Sequence, residues 1–207
     1  MRNLAIRDRA SVQAKRSPAH PWPDDAALVQ ALVQGDPEAI AVVWKRYVPL
    51  VFSIVRRVFG PDPEAEDVTQ EVLGCLFRRV KTLRDPHALS AFVTSVAVRV
   101  VKWELRRRRA RRFLTLSSTG QLPELPVAFA DSNRHYAIHQ IYRVLDRMNA
   151  RERLVLVLKH AEGMTLEEVA DALEISTATV KRILRRASAH FHALAGDHTA
   201  LSELGWL

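Results

Sequence analysis

Apolar residues recur every three or four positions along most of the chain, which is the spacing of the buried face of an α-helix. In the first half, four such stretches are separated by proline, glycine and acidic capping residues. Asp24-Asp25 suits the start of the first helix, and Asp36-Pro37 provides a capping carboxylate and a first-turn proline for the second. The four predicted helices span about residues 24–35, 36–60, 63–80 and 85–109.

The second half begins with a break in this pattern. Residues 113–133 contain two prolines, one glycine and few charges, so we predict a flexible linker there. Helical periodicity resumes at about residue 134 and leads into a four-step helical unit at residues 148–192. Within that unit, Thr165 and Glu168 form a capping-box pattern, and Leu173-Glu174-Ile175 predicts a tight turn.

The predicted fold is therefore all-α, with two helical modules at residues 24–112 and 134–195 joined by the flexible linker. No alternating strand pattern of useful length occurs in the sequence. Residues 1–23 carry five cations, one acid and three prolines, which indicates a disordered basic tail. The C-terminal tail, residues 196–207, contains several apolar side chains, and the sequence leaves open whether it docks on the second module or on a partner.

The predicted helix that follows Ser176 has two faces of opposite character. The apolar face carries Val180, Ile183, Leu184, Ala187 and Phe191 at helical spacing. The other face is cationic, and the N-terminal end is small and polar, which suits insertion into the major groove of DNA. We therefore predict a helix-turn-helix whose candidate DNA-contacting residues are Thr177, Thr179, Lys181, Arg182, Arg185 and Arg186.

Composition and charge agree with this prediction. The 207-residue chain has a net charge of +8 and a pI near 10.2, which favours an anionic partner such as nucleic acid or a membrane surface. No stretch approaches the roughly 18 consecutive apolar residues of a membrane span, so we expect no membrane insertion. The lone cysteine, Cys75, cannot form an internal disulfide, and we expect a cytoplasmic protein.

The fourth predicted helix carries a second concentration of positive charge. Between Arg78 and Arg112 there are twelve Lys or Arg residues against two acids. A helical wheel places Arg99, Lys102, Arg106 and Arg109 in one line, here called the cationic stripe. The adjoining apolar face comprises Phe92, Val96, Val100 and Trp103. Because a second cationic helix lies in the same chain, we interpret both as contacts to one phosphate backbone, and the aromatics could stack on bases of opened DNA.

The third predicted helix is acidic instead. Its first turns carry five carboxylates, Asp62, Glu64, Glu66, Asp67 and Glu71. Helix-dipole complementarity explains some of them, and the remainder favour a basic protein partner. A magnesium site is a second reading of the same cluster, but no nucleophile–base motif, phosphate-cradling loop or zinc spacing accompanies it. We therefore expect no catalysis, no metal ion and no cofactor.

Taken together, these segments resemble bacterial RNA polymerase sigma factors of the extracytoplasmic-function (ECF) branch. The residues AEDVTQEV at 65–72 are similar to the acidic core-binding segment of the family's region two, and residues 91–109 occupy the place of its promoter-melting helix. The segments MNARER at 148–153, GMTLEEVA at 163–170 and TVK at 179–181 resemble region four. The pairing of both regions around a short linker makes the resemblance specific.

This resemblance implies a role for each surface. Region two is expected to bind the coiled-coil of the polymerase largest subunit through Asp67, Gln70 and Glu71. The cationic stripe is expected to bind the minus-ten promoter element and to help hold the melted strand. Region four is expected to place residues 177–192 in the major groove of the minus-thirty-five element and to touch the polymerase flap. Many members of the family are also held by an anti-sigma protein.

The sequence departs from the family pattern inside both DNA-reading helices. Phe92-Val93 stands where the family usually has Trp-Leu, and Arg99 and Trp103 stand in place of a common Asn and Asp. In the last helix, the family frequently has Val-Lys-Ser followed by Arg. Here Val180-Lys181 is followed by Arg182-Ile183. The recognised promoter can therefore be an unusual one.

Two other functions compete with promoter recognition by a sigma factor. A stand-alone helix-turn-helix regulator would bind palindromic DNA as a symmetric dimer without polymerase. A nucleic-acid enzyme would use the carboxylates of residues 62–71 and require magnesium for turnover.

Overall fold

The computed structural model describes residues 22–119 and 132–195, and these ranges contain helices and no strand. The prediction of an all-α chain with two helical modules is confirmed. The helices are α1 (Asp25–Gln34), α2 (Pro37–Phe59), α3 (Ala65–Arg79), α4 (Leu89–Thr119), α5 (Ser132–Arg147), α6 (Ala150–Leu156), α7 (Leu166–Leu173) and α8 (Thr177–Ala195). Short 3-10 turns at Val80–Thr82 and Pro86–Ala88 join α3 to α4, and a π-helical turn at Val157–Ala161 follows α6.

The helix starts are fixed by the capping residues that the sequence indicates. The Asp24 carboxylate accepts the backbone N–H of Ala27 at 2.8 Å at the start of α1, and Asp36 caps α2 in the same way. At the start of α7, the side chains of Thr165 and Glu168 each accept the other's backbone N–H, which is a complete capping box. These local contacts set the helix registers and therefore the direction of each face.

Two boundaries differ from the prediction. Helix α4 continues to Thr119, ten residues beyond Arg109, and α5 begins at Ser132. The physical reason is that residues 110–119 contain neither glycine nor proline, so nothing in that segment interrupts the helical hydrogen bonds. The remainder of the predicted linker (120–131), the basic tail up to residue 21 and the C-terminal tail (196–207) lie outside the described residues.

The apolar faces of both modules contribute to one continuous core. In the first module, α2, α3 and α4 pack against each other, and α1 covers one side of α2. In the second module, α8 packs against α5, α6 and α7. Helix α4 belongs to both sets of contacts, because it also packs against α6 and α7. In the described part of the chain, no helix combines the length and hydropathy that crossing a bilayer requires.

Candidate nucleic-acid interface

The cationic stripe runs along α4 from a half-covered end to an open end. Arg99 and Lys102 are half-buried, whereas Arg106 and Arg109 are exposed. Burial, and then the positive charges of Arg106 and Arg151, lower the pKa of Lys102. Cations that crowd each other in this way are stabilised by a polyanion, because phosphate groups relieve the repulsion. The stripe therefore has the electrostatics of a phosphate-binding surface.

The predicted apolar face of α4 is wrong at one position. Val96 and Val100 are buried and Phe92 is half-buried, but 51% of the Trp103 surface is exposed. Successive residues of a helix are rotated by about 100°, so the inward direction of the neighbouring Glu104 turns Trp103 away from the core. The Arg107 guanidinium lies over the Trp103 ring, 5.0 Å from its centroid. Trp103 is thus a surface aromatic among cations.

The buried carboxylate of Glu104 fixes the arginines around it. Burial would raise the pKa of Glu104, but the close guanidinium of Arg107 and the hydrogen bond from Arg108 outweigh it, so the pKa is lowered and the group stays charged. Arg108 also forms ion pairs with Asp62 and Glu64, just before α3. Two members of the acidic cluster are therefore neutralised by α4, which positions the start of α3.

The remaining acids of α3 face outward. Asp67, Gln70 and Glu71 are exposed together, opposite the buried side chains of Val68 and Val72. The carboxylates of Asp67 and Glu71, together with the amide of Gln70, form a compact negative surface, called here the acidic face, that suits a basic protein partner. Among the residues that the structure describes, no group of three or more His, Cys, Asp or Glu side chains could hold a metal ion.

Helix α8 has the two faces that its sequence predicts. Val180, Ile183, Ala187 and Phe191 are buried, and Leu184 is half-buried at the edge. The cations of the opposite face, Lys181, Arg182, Arg185 and Arg186, are all exposed.

The start of α8 is also arranged for a groove. Thr177 and Thr179 are half-buried there, and the Ser176 hydroxyl caps the helix by accepting the Thr179 backbone N–H at 3.2 Å. Glu174 adopts a left-handed conformation (φ 56°) that closes the turn between α7 and α8. The turn between α7 and α8 therefore leaves the cationic side of the N-terminal half of α8 accessible to solvent.

One of the predicted DNA contacts has a structural partner as well. The Arg186 Nε donates to the carboxylate of Glu152 at 2.7 Å, and His190 Nδ1 lies 3.0 Å from the other oxygen. Burial alone would raise the pKa of Glu152. The hydrogen bonds from His190, Arg186 and Asn149 together lower the pKa by more than burial raises it, so the net shift is downward. Arg186 thus ties α8 to α6, whereas Arg185 has no such tie among the contacts of the described chain.

Sequence reasoning missed Arg151 as part of this surface. Arg151 lines a shallow pocket of about 140 Å³ together with Arg182, Ile183 and Arg186, and its charge reaches Lys102 on α4. Arg151 therefore lies between the cations of α8 and the cationic stripe. Arg151 lies in the first turn of the short helix α6, two residues after Asn149. No periodic pattern in the sequence therefore indicates that it belongs to this surface.

Comparison with known proteins identifies the two modules. Residues 43–111 match the family model for Sigma-70 region 2, and residues 144–190 match the model for Sigma-70 region 4. The chain is 36% identical to the RNA polymerase sigma-E factor of Streptomyces coelicolor over 131 residues, which cover 62% of this chain and 71% of the relative. It is 25% identical to the ECF RNA polymerase sigma-E factor of Escherichia coli over 174 residues, or 79% of this chain and 90% of the relative.

A solved structure shows the same fold. The sigma factor RpoE of Bartonella quintana, in complex with the anti-sigma factor NepR, superposes with a TM-score of 0.56 at 18% identity, over 74% of this chain and 94% of that one. The stand-alone regulator, whose N-terminal helices would bind a partner or dimerise, is not favoured, because the first module matches a sigma-factor region as well as the second. With both regions present in order, the chain belongs to the sigma-70 family of RNA polymerase sigma factors, in its extracytoplasmic-function branch.

Proposed function

We propose that each of the three surfaces described above binds a different part of the transcription complex. The acidic face of α3, with Asp67, Gln70 and Glu71, binds the coiled-coil of the polymerase largest subunit. The cationic stripe of α4 binds the minus-ten element and its melted strand. Helix α8 reads the minus-thirty-five element through Thr177, Thr179, Lys181, Arg182, Arg185 and Arg186, while region four also touches the polymerase flap.

The observation that carries this proposal is the separation of charge within region two. The acidic face and the cationic stripe lie on different helices, and each consists of side chains that reach solvent. A basic protein surface and a nucleic acid can therefore bind region two at the same time without competing for the same side chains. The linker then lies between the two DNA-reading modules and threads toward the active-site channel of the polymerase.

The chain acts without covalent chemistry, cofactor or metal, and it acts in the cytoplasm, where polymerase and chromosome are found. Its relatives are sigma factors, which supply promoter choice to an enzyme. An anti-sigma factor is a further partner. The support is that RpoE of Bartonella quintana was solved with the anti-sigma factor NepR and has the same fold.

Transcription in vitro tests the proposal. Purified core polymerase and genomic DNA fragments should yield discrete start sites only when this chain is added. D67A and E71A should each weaken binding to core polymerase by about tenfold, or about 1.4 kcal/mol. E38A removes an exposed acid from α2 and should leave binding unchanged. If no template gives a dependent start site, the proposed function is wrong.

A further inference from the structure

The amine of Lys102, in the middle of α4, has three arginines around it. Arg99 and Arg106 lie three positions before and four positions after Lys102, which puts all three side chains on one face of the helix. Arg151 approaches the same amine from the start of α6. Within residues 22–119 and 132–195, Lys102 makes no ion pair and no side-chain hydrogen bond, so its amine has no protein acceptor there.

Two of the three surrounding guanidiniums are also unpaired. Arg106 and Arg151 are exposed, and neither side chain contacts a carboxylate in the part of the chain that the structure describes. Arg99, by contrast, forms an ion pair with Glu174. The space beside Arg151 is open, since a shallow pocket of about 140 Å³ adjoins it. A small anion that pairs with Arg106 or Arg151 is therefore held next to the amine of Lys102.

This setting makes Lys102 more nucleophilic than an ordinary surface lysine. Only the neutral amine attacks an electrophile, and an ordinary lysine is about 0.1% neutral near pH 7.5. Burial, and then the charges of Arg106 and Arg151, lower the pKa of Lys102, so a larger fraction of its amine is neutral. The smaller effects of Glu174, which raises this pKa, and of Arg99, which lowers it, do not change the direction.

The other lysines of the described ranges lack this combination of features. Lys45, Lys81 and Lys181 are exposed. Lys159 is half-buried, but its amine donates to the Met164 carbonyl at 3.1 Å. A lysine that only contacts DNA phosphates needs its charge, and nothing in that role calls for crowding by three guanidiniums. The surroundings of Lys102 therefore suit a reaction of the amine with an anionic electrophile.

We propose that Lys102 is a modification site that accepts an acyl group from an acyl phosphate, with Arg106 and Arg151 binding the phosphate end of the donor. The nitrogen of Lys102 attacks the carbonyl carbon of the donor and forms a C–N bond, while the bond between that carbon and the phosphate oxygen breaks. Inorganic phosphate leaves with the electron pair of the broken bond, and a proton passes from the nitrogen to solvent. The product is a neutral amide, and nothing is oxidised or reduced.

Acylation of Lys102 changes the cationic stripe and leaves the other two surfaces intact. It removes one of the four charges of the stripe, so fewer counterions are released when a strand binds, and both the affinity and its salt dependence fall. The acidic face of α3 and the cations of α8 keep their side chains. The modified chain therefore still binds polymerase and the minus-thirty-five element but holds the melted strand less tightly. This consequence rests on the proposed function of the stripe, whereas the reaction at Lys102 does not.

Treatment of the full chain with acetyl phosphate, followed by peptide mass spectrometry over time, tests the site. Lys102 should be acetylated about fivefold faster than the exposed Lys45. R106Q/R151Q should lower the rate at Lys102 by about fivefold and leave the rate at Lys45 unchanged. The matched control R84Q/R147Q removes two exposed arginines elsewhere and should react as wild type. Equal rates at Lys102 and Lys45 in wild type would overturn the proposal without recourse to any variant.

A donor without phosphate separates recognition of the donor from reactivity of the amine. The ester p-nitrophenyl acetate transfers the same acetyl group but offers the arginines no phosphate. R106Q/R151Q should therefore slow acetylation of Lys102 less with this ester than with acetyl phosphate. An equal loss of rate with both donors contradicts phosphate binding by the two arginines.

Binding of a labelled single-stranded oligonucleotide, followed by anisotropy, tests the consequence for the stripe. Acetylated wild type should bind about threefold more weakly than the untreated chain, and the slope of log affinity against log salt should be smaller by about 0.7. K102R keeps the charge but offers no amine, so treatment should leave its affinity unchanged. Equal weakening of wild type and K102R rules out control of the stripe through Lys102. Transcription with core polymerase separates the two proposals, because a chain that is acetylated at Lys102 but initiates nowhere sinks the proposed function and leaves the modification site standing.

Discussion

At the scale of single residues, two neighbouring arginines of α8 have different structural roles. Arg185 and Arg186 are both exposed and adjacent in sequence, yet only Arg186 is tied to the buried carboxylate of Glu152. An arginine that serves DNA alone can be removed without harm to the fold. An arginine that also neutralises a buried acid cannot, because its loss leaves that acid with one partner fewer.

Substitution of these two arginines should therefore separate binding from stability. R185A should weaken duplex binding by about 1–3 kcal/mol and leave the thermal midpoint unchanged. R186A should weaken binding and also lower the thermal midpoint. Anisotropy titrations and circular dichroism melts measure the two effects, and equal melting temperatures for both variants would contradict the role given to Glu152.

The pH dependence of stability should report the same carboxylate. Since the pKa of Glu152 is lowered in the folded protein, its contribution is present above the ordinary value of 4.5 and is lost as the pH falls through the lowered pKa. Urea denaturation between pH 6 and pH 3 should show this loss in wild type. E152Q should start less stable and show a smaller decline, and an unchanged decline would assign the effect to other acids.

At the scale of elements, the end of α2 shows what a sequence can and cannot indicate. The break at Phe59-Gly60 is predicted from the residue types, and Gly60 has a φ of 84° and a ψ of −156°, a conformation that is nearly restricted to glycine. The sequence does not show that the ring of Tyr142 lies 3.0 Å from where a Cβ of residue 60 would be. That contact joins residues 82 positions apart, so no local pattern reveals it.

Two glycine substitutions make a matched comparison. G60A introduces a Cβ into both the strained backbone and the Tyr142 contact, so it should lower the free energy of unfolding by about 1–3 kcal/mol. G74A lies inside α3, where the nearest atom to a new Cβ is the end of the Arg78 side chain at 3.3 Å, so it should raise stability by about 0.5–1 kcal/mol. Denaturant titrations measure both, and destabilisation by G74A would contradict this view of α3.

The buried face of a helix could be predicted where apolar side chains form all of it. The prediction failed where a buried charged side chain belongs to the face. The apolar face of α8 is as predicted, since Val180, Ile183 and Ala187 are buried at regular spacing. In α4, the buried face includes Glu104, a residue type that an apolar pattern leaves out. Trp103, which the pattern includes, is exposed. Arg107 and Arg108 make that burial possible, and the acidic partners of Arg108 before α3 are distant in sequence.

At the scale of the whole molecule, the sequence predicts the two modules but not their contact. Each module is recognisable because its helices carry local signals: caps, periodic apolar residues and runs of cations. Part of the surface between them consists of polar side chains, Arg57, Arg153 and Glu162, which look like ordinary exposed residues in a helical pattern. Their packing depends on shape and on hydrogen bonds to backbone carbonyls, neither of which leaves a mark in the sequence.

The contact of region four with the C-terminal end of α2 has a consequence for how the protein responds to heat. Arg153 of region four donates to the Val58 carbonyl of α2, and the apolar side chains of both modules share one core, so the two should unfold in a single cooperative transition. Calorimetry of the free chain should then give one endotherm whose calorimetric and van't Hoff enthalpies agree. Two resolved endotherms would mean that the modules unfold independently, whatever their arrangement at low temperature.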